Sequence, residues 1–152
     1  MMMPPELKVF LIAMSPIIEL RGAIPVALSS YGLSIWSAYF FSVSGNLVPL
    51  IFIVVFGKPV SDWLSEKSLF FKRFFNWLFL KVREKTEKLG KLGKDLTVIT
   101  LTALPVPFVG GWTGAIAAFL LQVPARRSAW LVAAGAIISG IIVSALTLAV
   151  GF

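Results

Sequence analysis

The run Ser15-Pro16-Ile17-Ile18-Glu19-Leu20-Arg21-Gly22-Ala23-Ile24-Pro25 decides how the chain is read. It sets a carboxylate and a guanidinium two positions apart in the middle of an apolar segment. Residues 9–18 before the charges and 22–30 after them each reach about 15 Å as helix, half of a hydrocarbon core of about 30 Å. Pro16 and Pro25 flank the charged centre, and Gly22 follows it directly. Proline removes a backbone donor and glycine relaxes the backbone, so one regular helix is not expected over residues 7–30. Each charge at bilayer depth costs roughly 2.5–3.5 kcal/mol on insertion scales, which makes Glu19 and Arg21 functional candidates.

Composition sets the solvent. Of 152 residues, 58% are hydrophobic and 14% charged, against about 45–50% and 25% in an ordinary globular domain. A soluble domain of this size would expose the excess as aggregating patches. The charge-free stretches 22–57, 96–125 and 128–152 contain two segments of spanning length, 33–56 and 129–152, and these are expected to be full transmembrane helices. Residues 96–121 are apolar too, but Pro105, Pro107, Gly110, Gly111 and Gly114 crowd their middle. Non-helical backbone at membrane depth is tolerated only when buried in protein or lining a wet cavity. Segments 7–30 and 96–121 are therefore read as re-entrant, broken helical hairpins. Each precedes an intact helix, and Pro16 to Gly22 has the same six-residue spacing as Pro105 to Gly111. The expected fold is an all-α integral membrane protein. Two re-entrant hairpins and two full transmembrane helices form an inverted repeat within one membrane domain, 1–152. A bundle of four full spans is the architectural alternative. Residues 1–5 carry no positive n-region and no small-x-small site follows the first apolar run, so the first segment is read as an uncleaved anchor.

The two halves are joined by 58–93, an amphipathic helix. Val60, Trp63, Leu64, Phe71, Phe74, Phe75, Leu78, Val82, Leu89 and Leu92 share one arc, and charged residues occupy much of the other. Lys67 and Lys85 fall within the apolar arc, where long stems can snorkel. Such a helix is expected to lie among headgroups, drawn to anionic lipids. A nucleic-acid partner is not expected, because the apolar face needs lipid or protein. Gly90 and Gly93 mark its end or a hinge. Ten of the fourteen Lys and Arg residues lie between positions 58 and 94, and Arg126 and Arg127 follow the second hairpin. If both hairpins return to their own side, these groups share one face, and the positive-inside rule makes it cytoplasmic. The chain is thus read as a multi-pass cell-membrane protein.

The sequence has no cysteine and no histidine, which excludes disulfides, thiolate or imidazole metal sites, Cys- or His-based catalysis, and haem or iron–sulfur ligation through these residues. Phosphate-cradling and dinucleotide fingerprints, a nucleophile elbow and two-metal carboxylate clusters are absent as well. Neither enzyme activity nor a cofactor is expected. Glu19 is read as the group that takes a proton or cation, and Arg21 as the partner of an anionic group or a second carboxylate. The competing reading has them neutralising each other as a buried pair that fixes the hairpin. Two positions apart they lie about 200° around an ideal helix, and cannot pair while that turn is helical. Ser42 and Asn46, one turn apart, line a pathway or pack against a hairpin. Trp112 and Thr113 fall at the second hairpin tip as cavity residues. Arg126 and Arg127 set topology, with a lipid phosphate as their possible ligand. Two small-residue ridges, Gly110-Gly114-Ala118 and Ala136-Gly140-Ser144, allow close backbone approach.

The run from Ser15 to Pro25 resembles the signature of the small multidrug export protein family. Ala103-Leu104-Pro105-Val106-Pro107, continued by Gly110-Gly111-Trp112-Thr113-Gly114, looks like its second signature. That family is in turn distantly similar to the DedA/VTT membrane proteins, which implies paired re-entrant hairpins, an amphipathic helix and lipid-carrier translocation. The resulting expectation is a small transporter or exporter of an unidentified small molecule, proton-coupled through Glu19. Two intact spans enclose little, so a homodimer is expected. A lipid translocase and a non-transporting structural subunit are the alternatives.

Overall fold

The computed structural model describes residues 2–106 and 109–151. Among the described residues the chain forms seven α-helices and no strand element, apart from one isolated antiparallel bridge between Val106 and Val109. The helices are α1 (Pro5–Ala13), α2 (Glu19–Ser29), α3 (Ile35–Lys67), α4 (Leu69–Lys88), α5 (Lys94–Ala103), α6 (Gly111–Leu120) and α7 (Ala125–Val150). A 3-10 turn, Gly90–Leu92, separates α4 from α5, where the two glycines end the amphipathic helix as expected. Helices α3 and α7 are long and apolar enough to cross a membrane; at 33 and 26 residues they measure about 50 and 39 Å.

Both interrupted segments fold back on themselves. Lys8 Nζ on α1 stands 5.5 Å from the ring centroid of Tyr31, just beyond the end of α2. In the second segment Arg127, at the start of α7, pairs with Asp95 at the start of α5. The 31 residues between them therefore return to the end they left. Helix α1 packs on α3, α5 on α7, and α3 on α7. The main core joins Leu20 and Ile24 of α2, Val43, Leu50 and Val54 of α3, Val98 of α5, and Val132 and Ala136 of α7. Close approach is built with glycine. A Cβ on Gly45 of α3 would strike the Phe10 backbone carbonyl of α1, with Phe10 Cα at 3.0 Å.

The helix ends correct the expected boundaries. The first break occupies residues 14–18 and contains Pro16; Gly22 and Pro25 lie inside α2. The backbone amide of Gly22 still donates to the Ile18 carbonyl at 3.1 Å. Pro25 forgoes only its own bond, and burial of Leu20, Ala23, Ile24 and Ala27 outweighs that loss. Of the second break the described residues are 104–106, which include Pro105, and 109–110, while Pro107 lies outside them. Gly111 opens α6 and Gly114 sits inside it, because a side chain there would collide with the Thr102 hydroxyl of α5.

The expected division between a span over 33–56 and an amphipathic helix over 58–93 is displaced to Ser68. Helix α3 continues through Gly57 and Pro59. Lys58 and Asp62 pair at 3.2 Å, one turn apart, and the Ser61 hydroxyl donates to the Lys58 carbonyl at 2.9 Å. Gly57 is a packing position, since a Cβ there would stand 3.0 Å from the Phe119 ring. Ser68 takes extended backbone (φ −151°, ψ 135°) and ends α3. Its hydroxyl accepts from the Phe70 amide at 3.3 Å and so opens α4. The second span likewise begins earlier than residue 129, at Ala125. Helix α4 packs on α6 through Val82 and half-buried Leu78 and Phe79. Phe70, Trp77 and Leu80 stay more than half exposed.

Candidate functional site

The two breaks meet each other. Glu19 stands at the first residue of α2 with φ +51°, a left-handed conformation that costs a non-glycine residue about 1–3 kcal/mol. That conformation takes Glu19 out of helical register. The side chains of Glu19 and Arg21, which a regular helix would point apart, instead converge, with Nη2 to Oε2 at 3.6 Å. Glu19 is buried, and its side chain is 9% exposed against 20% for Arg21.

Each charge completes a helix end in the other hairpin. Arg21 Nη2 donates to the Leu104 carbonyl, the C-cap of α5, at 3.0 Å, and also to the Val109 carbonyl; Nη1 donates to Val106. The last carbonyls of a helix have no partners of their own and carry partial negative charge, which a guanidinium satisfies. Glu19 does the converse at α6. Its Oε1 accepts from the Trp112 amide at 3.5 Å, and the Gly111 amide also bonds the carboxylate. An anion at a helix N-terminus is favoured by the same dipole. Gly110 makes the contact possible. A Cβ there would overlap Arg21 Nη2 and lie 2.8 Å from Glu19 Oε2.

Beside this latch lies a cavity of about 660 Å³. Glu19, Arg21, Trp112 and Thr113 line one side, while Trp77, Lys81 and Lys85 of α4 close the other. Of the candidate residues read from the sequence, the structure brings these four together here. The sequence reading did not include Lys81, Lys85 and Trp77, although the position of Lys85 inside the apolar arc was a usable signal. It also missed the three carbonyls that hold Arg21, which leave no side-chain signature. Burial, then the charges of Lys81 and Lys88, hold the Lys85 pKa below the ordinary lysine value. Ser42 and Asn46 are not part of this lining. Both are buried in the face of α3, and Ser42 Oγ and Asn46 Oδ1 have no hydrogen-bond partner. Arg126 and Arg127 lie apart as well, exposed at the start of α7.

The sequence profile of the family described as "Putative small multi-drug export protein" matches residues 19–142. The chain belongs to that family. The match begins at Glu19 and takes in the latch, all of α3 and α7 as far as residue 142. The family description names export rather than catalysis, and with α3 and α7 it puts this member at a membrane. Among the described residues no cluster of acidic side chains could hold a metal ion. No curated protein and no solved structure matches the chain, so the DedA/VTT likeness gains nothing from them.

Proposed function

We propose that the chain is a small multi-pass transporter that exports a small molecule through the cavity beside the Glu19–Arg21 latch. The observation that carries this reading is the latch itself. Two charges are spent, at the insertion cost given above, to cap helix ends across two broken hairpins beside a cavity of about 660 Å³. Rigid packing needs no such expense, whereas a site that opens and closes at bilayer depth does. The hairpins re-enter the membrane from opposite faces and form an inverted repeat. The return of each to its own end, through Lys8 with Tyr31 and Arg127 with Asp95, supports that geometry. Helix α4 lies on the cytoplasmic leaflet, where its lysines and arginines meet anionic headgroups, and Arg126 and Arg127 reach a phosphate on the same face. A second copy of the chain completes the enclosure.

Proton coupling follows from the wiring. A proton on Glu19 cancels the charge that holds Arg21 and the first amides of α6, so the two hairpin tips part and the cavity opens. The test is flux in proteoliposomes under an imposed proton gradient. Glu19→Gln is expected to uncouple transport from the gradient and Arg21→Ala to abolish it. Wild-type flux in both variants would remove the site. A lipid translocase is the second reading, favoured by the exposed row Phe70, Trp77 and Leu80 on α4. Flipping of a fluorescent lipid without any gradient would select it.

A further inference from the structure

We infer that the cavity between the hairpin tips and α4 takes an uncharged apolar body, admitted sideways from the bilayer, and turns charged ones away. The route of entry rests on the transporter reading; the preference for an uncharged guest stands on the lining. Among the described residues, every charge at the wall is already committed. Glu19 and Arg21 hold each other and the helix ends of the opposite hairpin. Lys81 has Glu84 at 3.9 Å, on a side chain more than half exposed that keeps its own hydration. Lys85 and the neutral Thr113 have partners as well. Two further nitrogens of the lining residues, Arg21 Nε and Trp112 Nε1, are buried and offer a guest no surface. A charge carried into this space would shed its solvation and find no counter-group, which is costly.

Much of the remaining wall is apolar. Pro16, Ile17 and Val109 belong to the hairpin tips, and Trp77, Leu78 and Val82 to α4. Ile17 is 91% exposed and Trp77 56%, so each side brings an apolar residue to the outer edge of the cavity. In the transporter reading the tips lie within the bilayer, and these residues open the cavity to hydrocarbon rather than to water. Its volume of about 660 Å³ falls within the range of about 300–1,000 Å³ for small-molecule sites. Hydrocarbon is as apolar as the walls, so a guest from the bilayer gains packing contacts rather than dehydration. Selection therefore acts through what the walls reject.

The test uses the full chain in phosphatidylcholine nanodiscs, with Trp36, Trp63, Trp77 and Trp130 each changed to Phe so that Trp112 alone reports from the cavity. Bromine quenches indole fluorescence on contact. Bromoadamantane and its sulfonate and trimethylammonium derivatives share one compact body and differ in charge, and each is set to the same mole fraction in the bilayer. Bromoadamantane is expected to quench Trp112 saturably and to be displaced by unbrominated adamantane, with both charged derivatives at least about tenfold weaker. Val109→Phe narrows the cavity and is expected to weaken the quenching several-fold; Leu78→Phe narrows it from the other wall should the first variant fold poorly. Equal or stronger quenching by either charged derivative, quenching that rises linearly and survives excess adamantane, or an affinity unchanged in a folded narrowed variant would overturn the inference. Discs of phosphatidylcholine brominated on its chains separate the sources of the guest. Quenching that adamantane relieves assigns the site to a lipid acyl chain, and quenching that adamantane leaves unchanged assigns it to a free solute. Bound bromoadamantane in a protein that moves no solute under a proton gradient would remove the transport reading and leave the site. Transport of the trimethylammonium derivative without saturable quenching by bromoadamantane would do the reverse.

Discussion

Arg21→Ala is the perturbation whose size the structure sets most directly. The guanidinium donates to the carbonyls of Leu104, Val106 and Val109 and stands 3.6 Å from the Glu19 carboxylate. Hydrogen bonds to a charged group are worth about 1.5–3 kcal/mol each, but three from one group share a single desolvation and do not add. The dominant loss is the carboxylate left behind, buried without its cation, and breaking such a pair from one side costs about 3–5 kcal/mol. A loss of about 4 kcal/mol corresponds to roughly 8–16 °C in Tm for a chain of this length. The assay is thermal unfolding in nanodiscs followed by tryptophan fluorescence, run as a cycle with Glu19→Gln and the double variant. The double variant no longer strands a charge, so it is expected to recover about 1–3 kcal/mol relative to the sum of the singles. Neutral interhelical hydrogen bonds in a membrane protein average about 0.6 kcal/mol. A loss for Arg21→Ala no larger than that, or strict additivity in the cycle, would mean that the guanidinium is solvated and the latch does not exist.

Three further outcomes can be checked in the same assay. Gly110→Ala places a methyl on Arg21 Nη2; it is expected to cost about 1–3 kcal/mol as overpacking, and to cost much less in an Arg21→Ala background. Gly45→Ala meets the Phe10 backbone, whereas Gly22→Ala meets a methyl of the flexible Ile18 side chain, so the first is expected to lower Tm clearly and the second to change it little. For Lys85 the folded pKa is depressed, so as pH rises through that value the folded protein gives up a proton that the unfolded chain still binds. Stability is therefore expected to climb with pH between the folded pKa and the ordinary lysine value. The climb should flatten in Lys85→Gln, as followed by Tm across alkaline buffers.

Much of this architecture is legible from where charge is missing. The two charge-free stretches of spanning length became α3 and α7, and the charged interruption at Glu19 and Arg21 became the junction of the two broken segments. Local punctuation was the weaker guide. Gly22, Pro25 and Gly114 all read as helix breaks, yet each lies inside a helix. The reason is that tertiary burial outweighs one lost backbone bond, and glycine also serves close approach, as at Gly57 against Phe119 and Gly114 against Thr102. The pairing of Glu19 with Arg21 was not readable from their spacing, because it depends on one residue with positive φ. The role of Arg21 was hidden more deeply still. Its acceptors are main-chain carbonyls 83 to 88 positions away, and any residue type offers a carbonyl.

That separation bears on how the protein is made. Synthesis runs from the N-terminus, so α1, α2 and α3 leave the ribosome long before Leu104 and Trp112 exist. Until then the first hairpin carries an ionic pair whose stabilising partners have not been translated. If the hairpin re-enters the membrane as proposed, it must wait at the bilayer surface or in the shelter of an insertion machine. The closing act of biogenesis is then the arrival of the second hairpin, and a chain truncated before Gly111 would hold its first hairpin in place poorly and be an early target for quality-control proteolysis.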